Sequence, residues 1–221
     1  MKAVEATDIH KEVNSSGTTL AILRGVDLAV AAGEAVAILG ASGSGKTTLL
    51  SLLAGLDSPT RGEIRLDGQS LDGLDEDGRA GLRAGRVGFV FQSFQLLNGF
   101  NALENVMLSA ELAGDTQARV TARSALAQVG LEERLTHQPL QLSGGEQQRV
   151  AIARAFAGKP KILFADEPTG NLDTTTGAHI IELLFELNRA HGTTLILVTH
   201  DSALAERCGR VLTLKDGTLH G

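Results

Sequence analysis

The sequence predicts an α/β fold with a strand-rich N-terminal part and an inserted helical part, on three observations. The stretch Gly40-Ala41-Ser42-Gly43-Ser44-Gly45-Lys46-Thr47 lies between the apolar run Ala35–Leu39, which suits a buried strand, and Thr48–Ala54, which has helical spacing. A second apolar run, Ile162-Leu163-Phe164-Ala165, ends in the paired acids Asp166-Glu167. Between Asn101 and Gly158, β-branched runs give way to Ala, Leu, Glu and Gln. A chain of 221 residues accommodates one such α/β domain with an insert.

Taken in order, Ile22 to Val30 mixes apolar and polar residues and turns at Ala31–Glu34 into the strand Ala35–Leu39. Gly62–Gly68 alternates as a short half-exposed strand. Asp72–Arg86 is polar and glycine-bearing, a short helix with loose ends, and Val87–Phe91 is the next buried strand. Ala102–Ala113, Gln117–Val129 and Gly145–Ala157 read as helices separated by Gly114, Gly130 and Pro139. The sheet resumes with Lys161–Ala165 and Thr194–Val198. A helix from about Thr175 to His191 joins them, with Ile180, Leu183, Leu184 and Leu187 on one face. A short helix after Asp201 leads to Arg210–Leu214, and Asp216-Gly217 would fold the end back as a hairpin. This divides one domain, residues 1–221, into a core of 1–91 and 159–221 and a helical subdomain of about 92–158.

Composition excludes several classes. Hydrophobic residues make up 43% and aromatic ones 3%, which suits a core of Val, Ile, Leu and Ala. A net charge of −6 offers no basic face for nucleic acid. The lone Cys208 rules out an internal disulfide and is expected to be a small buried filler at a helix end. No N-terminal stretch has the pattern of a signal peptide. Apolar runs such as Leu195–Val198 are far too short to span a bilayer. A membrane role would therefore come through a partner.

The chemistry begins with Gly40–Thr47, which fits the phosphate-binding pattern G-x-x-x-x-G-K-S/T. Its glycines let the backbone curl so that N–H groups surround phosphates, and the following helix adds its positive dipole end. Lys46 would reach the β- and γ-phosphates, while the Thr47 hydroxyl, with Thr48 beside it, would sit at the Mg²⁺ side. The chain is expected to bind a nucleoside triphosphate. Asp166, at the end of its strand, would anchor Mg²⁺ directly or through water. Glu167, at the tip, would polarise a water in line with the γ-phosphate. Leu142-Ser143-Gly144-Gly145-Glu146-Gln147-Gln148-Arg149 places a Ser and two Gly at a helix start. It reads as a capping box, Ser143 with Glu146, and equally as an anion site, since a capped N-terminus can be both.

In this order, a phosphate loop, a Ser-Gly-Gly helix start within a helical insert and a strand ending in two acids resemble the ATP-binding-cassette (ABC) ATPases. The resemblance covers essentially the whole chain. It implies ATP and Mg²⁺ as cofactors, a catalytic glutamine at Gln92, a histidine at His200 and an aspartate loop at Gly170-Asn171-Leu172-Asp173. Phe94-Gln95-Leu96-Leu97, Asn101–Val106 and Ala165–Asp173 resemble the macrolide-efflux and lipoprotein-release group, and within it the YbbA-type ATPases.

What the resemblance implies about mechanism is a head-to-tail dimer that sandwiches two ATP molecules. The second copy's Ser143, Gly144, Gly145 and Asp173 would close each site. Glu167 would activate water, His200 contact the γ-phosphate, and Gln92 sense metal and water. Gln92 would also link to a membrane permease with few spans and a large extracytoplasmic domain, on the cytoplasmic side of the inner membrane. The groove beside Gln92 and Phe94 would be the docking surface, unless Phe94, Leu96 and Leu97 simply pack the insert against the sheet. DNA-maintenance relatives carry coiled coils or zinc segments in the interval that is compact here, and translation-associated relatives carry two cassettes in one chain. A regulatory subunit that binds ATP without hydrolysing it is disfavoured by Glu167 and His200. One departure stands out. Most family members stack adenine on an aromatic residue, and by register with the resembled group Val13 takes that place here, in a chain with no Tyr and no Trp.

Overall fold

Strands that alternate buried and exposed residues build the N-terminal sheet. β1 (Lys2–Ser15) and β2 (Thr18–Ala31) form a long antiparallel ribbon, and β1 pairs on its other edge with β4 (Arg61–Leu66), which turns back into the short β5 (Gln69–Ser70). The computed structural model describes residues 1–15 and 18–221. β1 is not readable from alternation, because Val4 and Ala6 are buried and then Ile9, a change of phase at the register shift between Ala6 and Ile9.

The chain forms two compact units, residues 1–83 with 194–221 and residues 84–193. In the first, β3 (Ala35–Leu39) lies parallel between β8 (Thr194–Thr199) and β9 (Arg210–Lys215), and β10 (Thr218–His220) returns antiparallel on β9. The β9–β10 turn, Asp216 and Gly217, has φ of 49° and 80°, the geometry that a two-residue hairpin needs. Helix α1 (Lys46–Leu53) buries Leu49, Leu50, Leu52 and Leu53, and α2 (Glu76–Arg83) and α7 (Ser202–Ala205) complete this unit.

In the second unit, β6 (Val87–Val90) and β7 (Ile162–Asp166) pair in parallel, with every residue of β7 buried. Helices α3 (Ala102–Leu112) and α4 (Ala118–Gln128) pack on each other and on α5 (Gly144–Ala157), which also lies against β6. Buried alanines (Ala102, Ala110, Ala118, Ala122, Ala125, Ala151, Ala153) allow these helices to approach closely. Helix α6 (Thr174–His191) starts at Asp173 and ends at Gly192 in the left-handed region. Its buried face runs through Ile180, Ile181, Leu184, Phe185 and Asn188, so the expected stripe is rotated and Leu183 and Leu187 lie at its half-buried margin. Near-continuous apolar residues there offer two stripes, and packing selects one. This unit takes in the helices of 92–158 together with β6, β7 and α6. Cys208 is buried, and desolvation pushes its thiol up to about 11, so it is an inert filler.

Candidate nucleotide-binding and hydrolysis site

In parallel α/β sheets ligands gather at the carboxyl ends of the strands, and in each unit the expected residues do so. Leu39 of β3 is paired with Thr199 of β8 and Thr213 of β9. Gly40 and His200 therefore leave the first unit's sheet at one end, beside Leu214 of β9. In the second unit Val90 is paired with Ala165, so Gln92, Asp166 and Glu167 emerge side by side.

The loop from Gly40 to Gly45 closes on itself, with the Ser44 N–H donating to the Ala41 carbonyl. Gly45 precedes α1 at φ 98°, a conformation that a side chain would strain. A Cβ on Gly40 would fall 2.5 Å from Ser44 Oγ and 2.7 Å from the Leu214 carbonyl oxygen, so this position excludes every larger residue. Lys46 is buried, and its ammonium donates to the carbonyls of Gly40 at 2.9 Å and Ala41 at 3.0 Å. A strong cation is thus held against its own loop. Ser44 Oγ is buried without a hydrogen-bond partner among the described residues. Ala41, Ser42, Gly43 and Thr47 are exposed, and Thr48 is half-buried. A cleft of about 700 Å³ runs from Gly40–Ser44 to Leu20, Arg24 and the β9–β10 turn. Val13, exposed on β1, is paired with Leu20, one wall of that cleft. His200 is exposed just before Asp201, which caps α7 through the N–H groups of Ala203 and Leu204.

In the second unit Asp166 is buried at the end of β7, and Glu167 sits at φ 41°, a left-handed conformation that a non-glycine residue adopts only under constraint. The Gly170 N–H donates to the Glu167 carbonyl and closes the turn. A Cβ on Gly170 would lie 2.7 Å from Gln92 Nε2, so the glycine seats that side chain directly. Asn171 completes the seat: its Nδ2 donates to the Gln92 carbonyl at 3.0 Å, and Gln92 Nε2 reaches Asn171 Oδ1 at 3.5 Å. Before Gln92, Phe91 stacks on Phe89 with centroids 4.0 Å apart.

Helix α5 begins at Ser143 with a complete capping box. Glu146 accepts from the Ser143 N–H and Oγ and from Arg134 Nε, and these donors hold its carboxyl down at about 2. Asp173 accepts from the Thr176 N–H, which lowers its carboxyl likewise. Ser143, Gly144, Gly145, Asn171, Asp173 and His179 line one cleft of about 530 Å³, with the N-termini of α5 and α6 on it. The structure brings Gln92, Asp166 and Glu167 together in one unit with this cleft, and the phosphate loop with His200 in the other.

Some residues carry this geometry without announcing themselves. Gln148 is fully buried on α5 and donates to the Pro168 carbonyl at 2.6 Å, tying α5 to the turn after Glu167. Its signal is a polar residue on the stripe of Ala151, Ile152 and Ala155. Asn105, buried on α3, donates to the carbonyls of Leu97, Phe100 and Asn101 and accepts from the Leu97 N–H, which fixes the segment after Gln92. In that segment Phe94 and Leu96 are half-buried, whereas Leu97 and Phe100 stay 46% and 38% exposed.

Comparison with known proteins agrees with this layout. Residues 23–170 match the family model described as ABC transporter. The chain is 58% identical to the ABC transporter ATP-binding protein YbbA of Escherichia coli K12, over 98% of this chain and 96% of that one. It is 49% identical to the lipoprotein-releasing system ATP-binding protein LolD of Legionella pneumophila (strain Lens), over 96% and 94%. Among solved structures, the dimeric ATP-binding cassette MJ0796, in a post-hydrolysis state with ADP and Pi, superposes with a TM-score of 0.90 at 40% identity, covering 98% of this chain and 96% of that one. The fold, the order of the motifs and similarity over nearly the whole length converge: this chain belongs to the ABC transporter family, as an ATP-binding, ATP-hydrolysing subunit.

Proposed function

We propose that two copies of this chain close head to tail around two ATP molecules and drive a membrane permease with few spans and a large extracytoplasmic domain. The observation that carries this reading is the division of phosphate-facing groups. One unit holds the loop with Lys46, and the other holds a separate cleft of about 530 Å³ with two helix N-termini on it. A phosphate loop leaves one side of the γ-phosphate open, and phosphoryl transfer needs charge stabilisation there. Ser143, Gly144 and Gly145 of the second copy supply it, with Asp173 beside them.

Of the residues that would hold Mg²⁺, Thr47 brings a hydroxyl, the buried Asp166 a carboxylate and Gln92 an amide oxygen, each a hard donor of the kind that Mg²⁺ takes. When bound, Mg²⁺ would neutralise negative charge that develops on the phosphates. Lys46 trades its bonds to the Gly40 and Ala41 carbonyls for phosphate oxygens. Glu167, held at the strand tip, accepts a proton from the attacking water as the water oxygen bonds to the γ-phosphorus and the bond to the β–γ bridging oxygen breaks. Gln92, seated by Gly170 and Asn171, orients that water, and His200 holds the γ-phosphate. Loss of the bridging anion opens the dimer.

No helix of the described residues is long and apolar enough to cross a membrane. In this reading the chain is attached through the permease, on the cytoplasmic side of the inner membrane. Leu97 and Phe100, both exposed, would supply the apolar part of a docking surface beside Gln92 and Phe94. With a net charge of −6 per copy, the permease also serves to hold two like-charged chains together. Size-exclusion chromatography tests the composite site. The Glu167→Gln chain should elute as a dimer with ATP and a monomer without it. Adding Ser143→Arg should abolish the dimer while the monomer still binds ATP. A dimer that survives Ser143→Arg, or a Glu167→Gln chain that stays monomeric under ATP, overturns the sandwich.

A further inference from the structure

The segment after β6 holds two adjacent non-glycine residues in the left-handed region, Phe94 at φ 61° and Gln95 at φ 48°. The Gln95 N–H donates to the Ser93 carbonyl at 2.6 Å, so Phe94 is the centre of a three-residue turn of the rare, strained kind. Such a conformation persists only where its surroundings over-determine it. One side chain from elsewhere in the fold binds both carbonyls of this turn. Arg154, on α5, donates from Nη2 to the Phe94 carbonyl at 2.9 Å and from Nη1 to the Gln95 carbonyl at 2.6 Å. Burial lowers the guanidinium from its usual value, yet it remains a cation, and its planar fork matches two successive carbonyls. Gln92 immediately precedes this turn and is held from the other side by Gly170 and Asn171. Arg154 belongs to the same helix that Ser143 caps.

We infer that Arg154 is a positioning residue for hydrolysis: it locks the Phe94–Gln95 turn to α5 and so fixes Gln92 relative to the Ser143 end of that helix. The inference rests on the reading of Gln92 as a contact to the reacting water. Lysine reproduces the charge but not the fork, because an ammonium on a flexible stem does not span both carbonyls in one plane. The consequence falls on turnover. ATP binding through Lys46 involves residues far away in sequence and in the other compact unit.

Full-length Arg154→Met, Arg154→Lys and the double variant Arg154→Met/Gln95→Gly decide the point, with melting curves, ATP Kd, and kcat and KM at protein concentrations where turnover per chain rises. Arg154→Met should lower kcat by roughly tenfold to a hundredfold, the scale of a displaced catalytic contact, with ATP Kd within about twofold of the unmodified chain. Arg154→Lys should fall between. Gln95→Gly should restore much of the loss, because glycine takes a positive φ without steric cost. Full kcat in Arg154→Met, or a loss that Gln95→Gly does not relieve, overturns the positioning role. Should Arg154→Met not fold, Arg154→Lys with and without Gln95→Gly decides by the same rule. Glu167→Gln run alongside separates the two readings. Loss there with unaffected Arg154 variants keeps the hydrolysis reading and rejects the positioning one, whereas an inactive unmodified chain rejects both.

Discussion

The phosphate loop and the segment after Gln92 are both irregular backbone at the carboxyl end of a strand, yet they are held in different ways. From Gly40 to Gly45 the backbone folds on itself, and the side chain that binds it, Lys46, comes from the very next residue. From Phe91 to Phe100 the backbone is held by side chains from elsewhere: Asn105 of α3, Arg154 of α5 and Asn171 of the turn after β7. The first region is stiff by itself and suited to gripping a constant ligand. The second takes its shape from the elements around it, which suits a segment that must report on a partner.

The sharpest way to break the comparison is to remove chemistry from the second unit and binding from the first. Glu167→Gln keeps shape and hydrogen bonding at the strand tip but removes the basic oxygen. We expect kcat to fall by roughly 10²–10⁴-fold with ATP binding retained. Single-turnover hydrolysis and equilibrium binding on one preparation check this, and near-normal hydrolysis would place water activation elsewhere. Lys46→Ala should do the opposite and weaken binding itself, because its charge meets phosphate in the ground state too. A charge-assisted contact of ~1.5–3 kcal/mol corresponds to roughly 10–100-fold in Kd. Retained affinity with lost turnover would make Lys46 a transition-state group instead.

The same contrast explains what could be read from the sequence. Gly40–Thr47, Ile162–Glu167 and Ser143–Glu146 are legible because their chemistry needs particular residues at fixed short spacings, which leave a local pattern. Arg154 and Gln95 are 59 positions apart, and Gln148 and Pro168 are 20 apart. No local rule joins them, so the tethers of the second region become visible only when the chain is folded. β1 escaped because its bulged register breaks the period-two alternation, and the buried face of α6 because six apolar residues between Ile180 and Leu187 permit two stripes. The first helices of the insert were legible from their glycine and proline boundaries, as α3 and α4 show.

A smaller effect probes the cap of α5. The Glu146 carboxyl lies at about 2 against an ordinary 4.5, so its ionised form stabilises the fold. That contribution is complete above pH about 4.5 and is lost as the pH falls toward about 2. Glu146→Gln should therefore melt earlier than the unmodified chain near neutrality, by about 1 kcal/mol for a weakened cap. The gap should close progressively on acidification through that window. Thermal melts at stepped pH check this. A gap that is constant from neutral to acid pH would mean that the Arg134–Glu146 pair contributes through packing rather than charge.

The smallest expected effect concerns the base rather than the phosphates, and it tests whether the first unit's grip is confined to the loop. Val13 is 42% exposed on β1, opposite Leu20, which is 54% exposed and forms part of the 700 Å³ cleft beside Gly40–Ser44. Neither aliphatic side chain offers a π face, and the sequence contains no Tyr or Trp. If affinity comes almost wholly from phosphate contacts, the identity of the base matters little. GTP should then support hydrolysis nearly as well as ATP. Val13→Tyr should tighten ATP binding by about 1 kcal/mol, the low end for a stacking contact because the position is open to solvent, or roughly fivefold in Kd. The gain should appear in binding and leave kcat unchanged, since the added ring meets ground state and transition state alike. Competition between ATP and GTP on the unmodified chain, followed by the same titration on Val13→Tyr, measures both. A strong preference for ATP before substitution would show a base-reading surface other than the Val13 position. An unchanged Kd after it would show that the ring at position 13 does not reach the base.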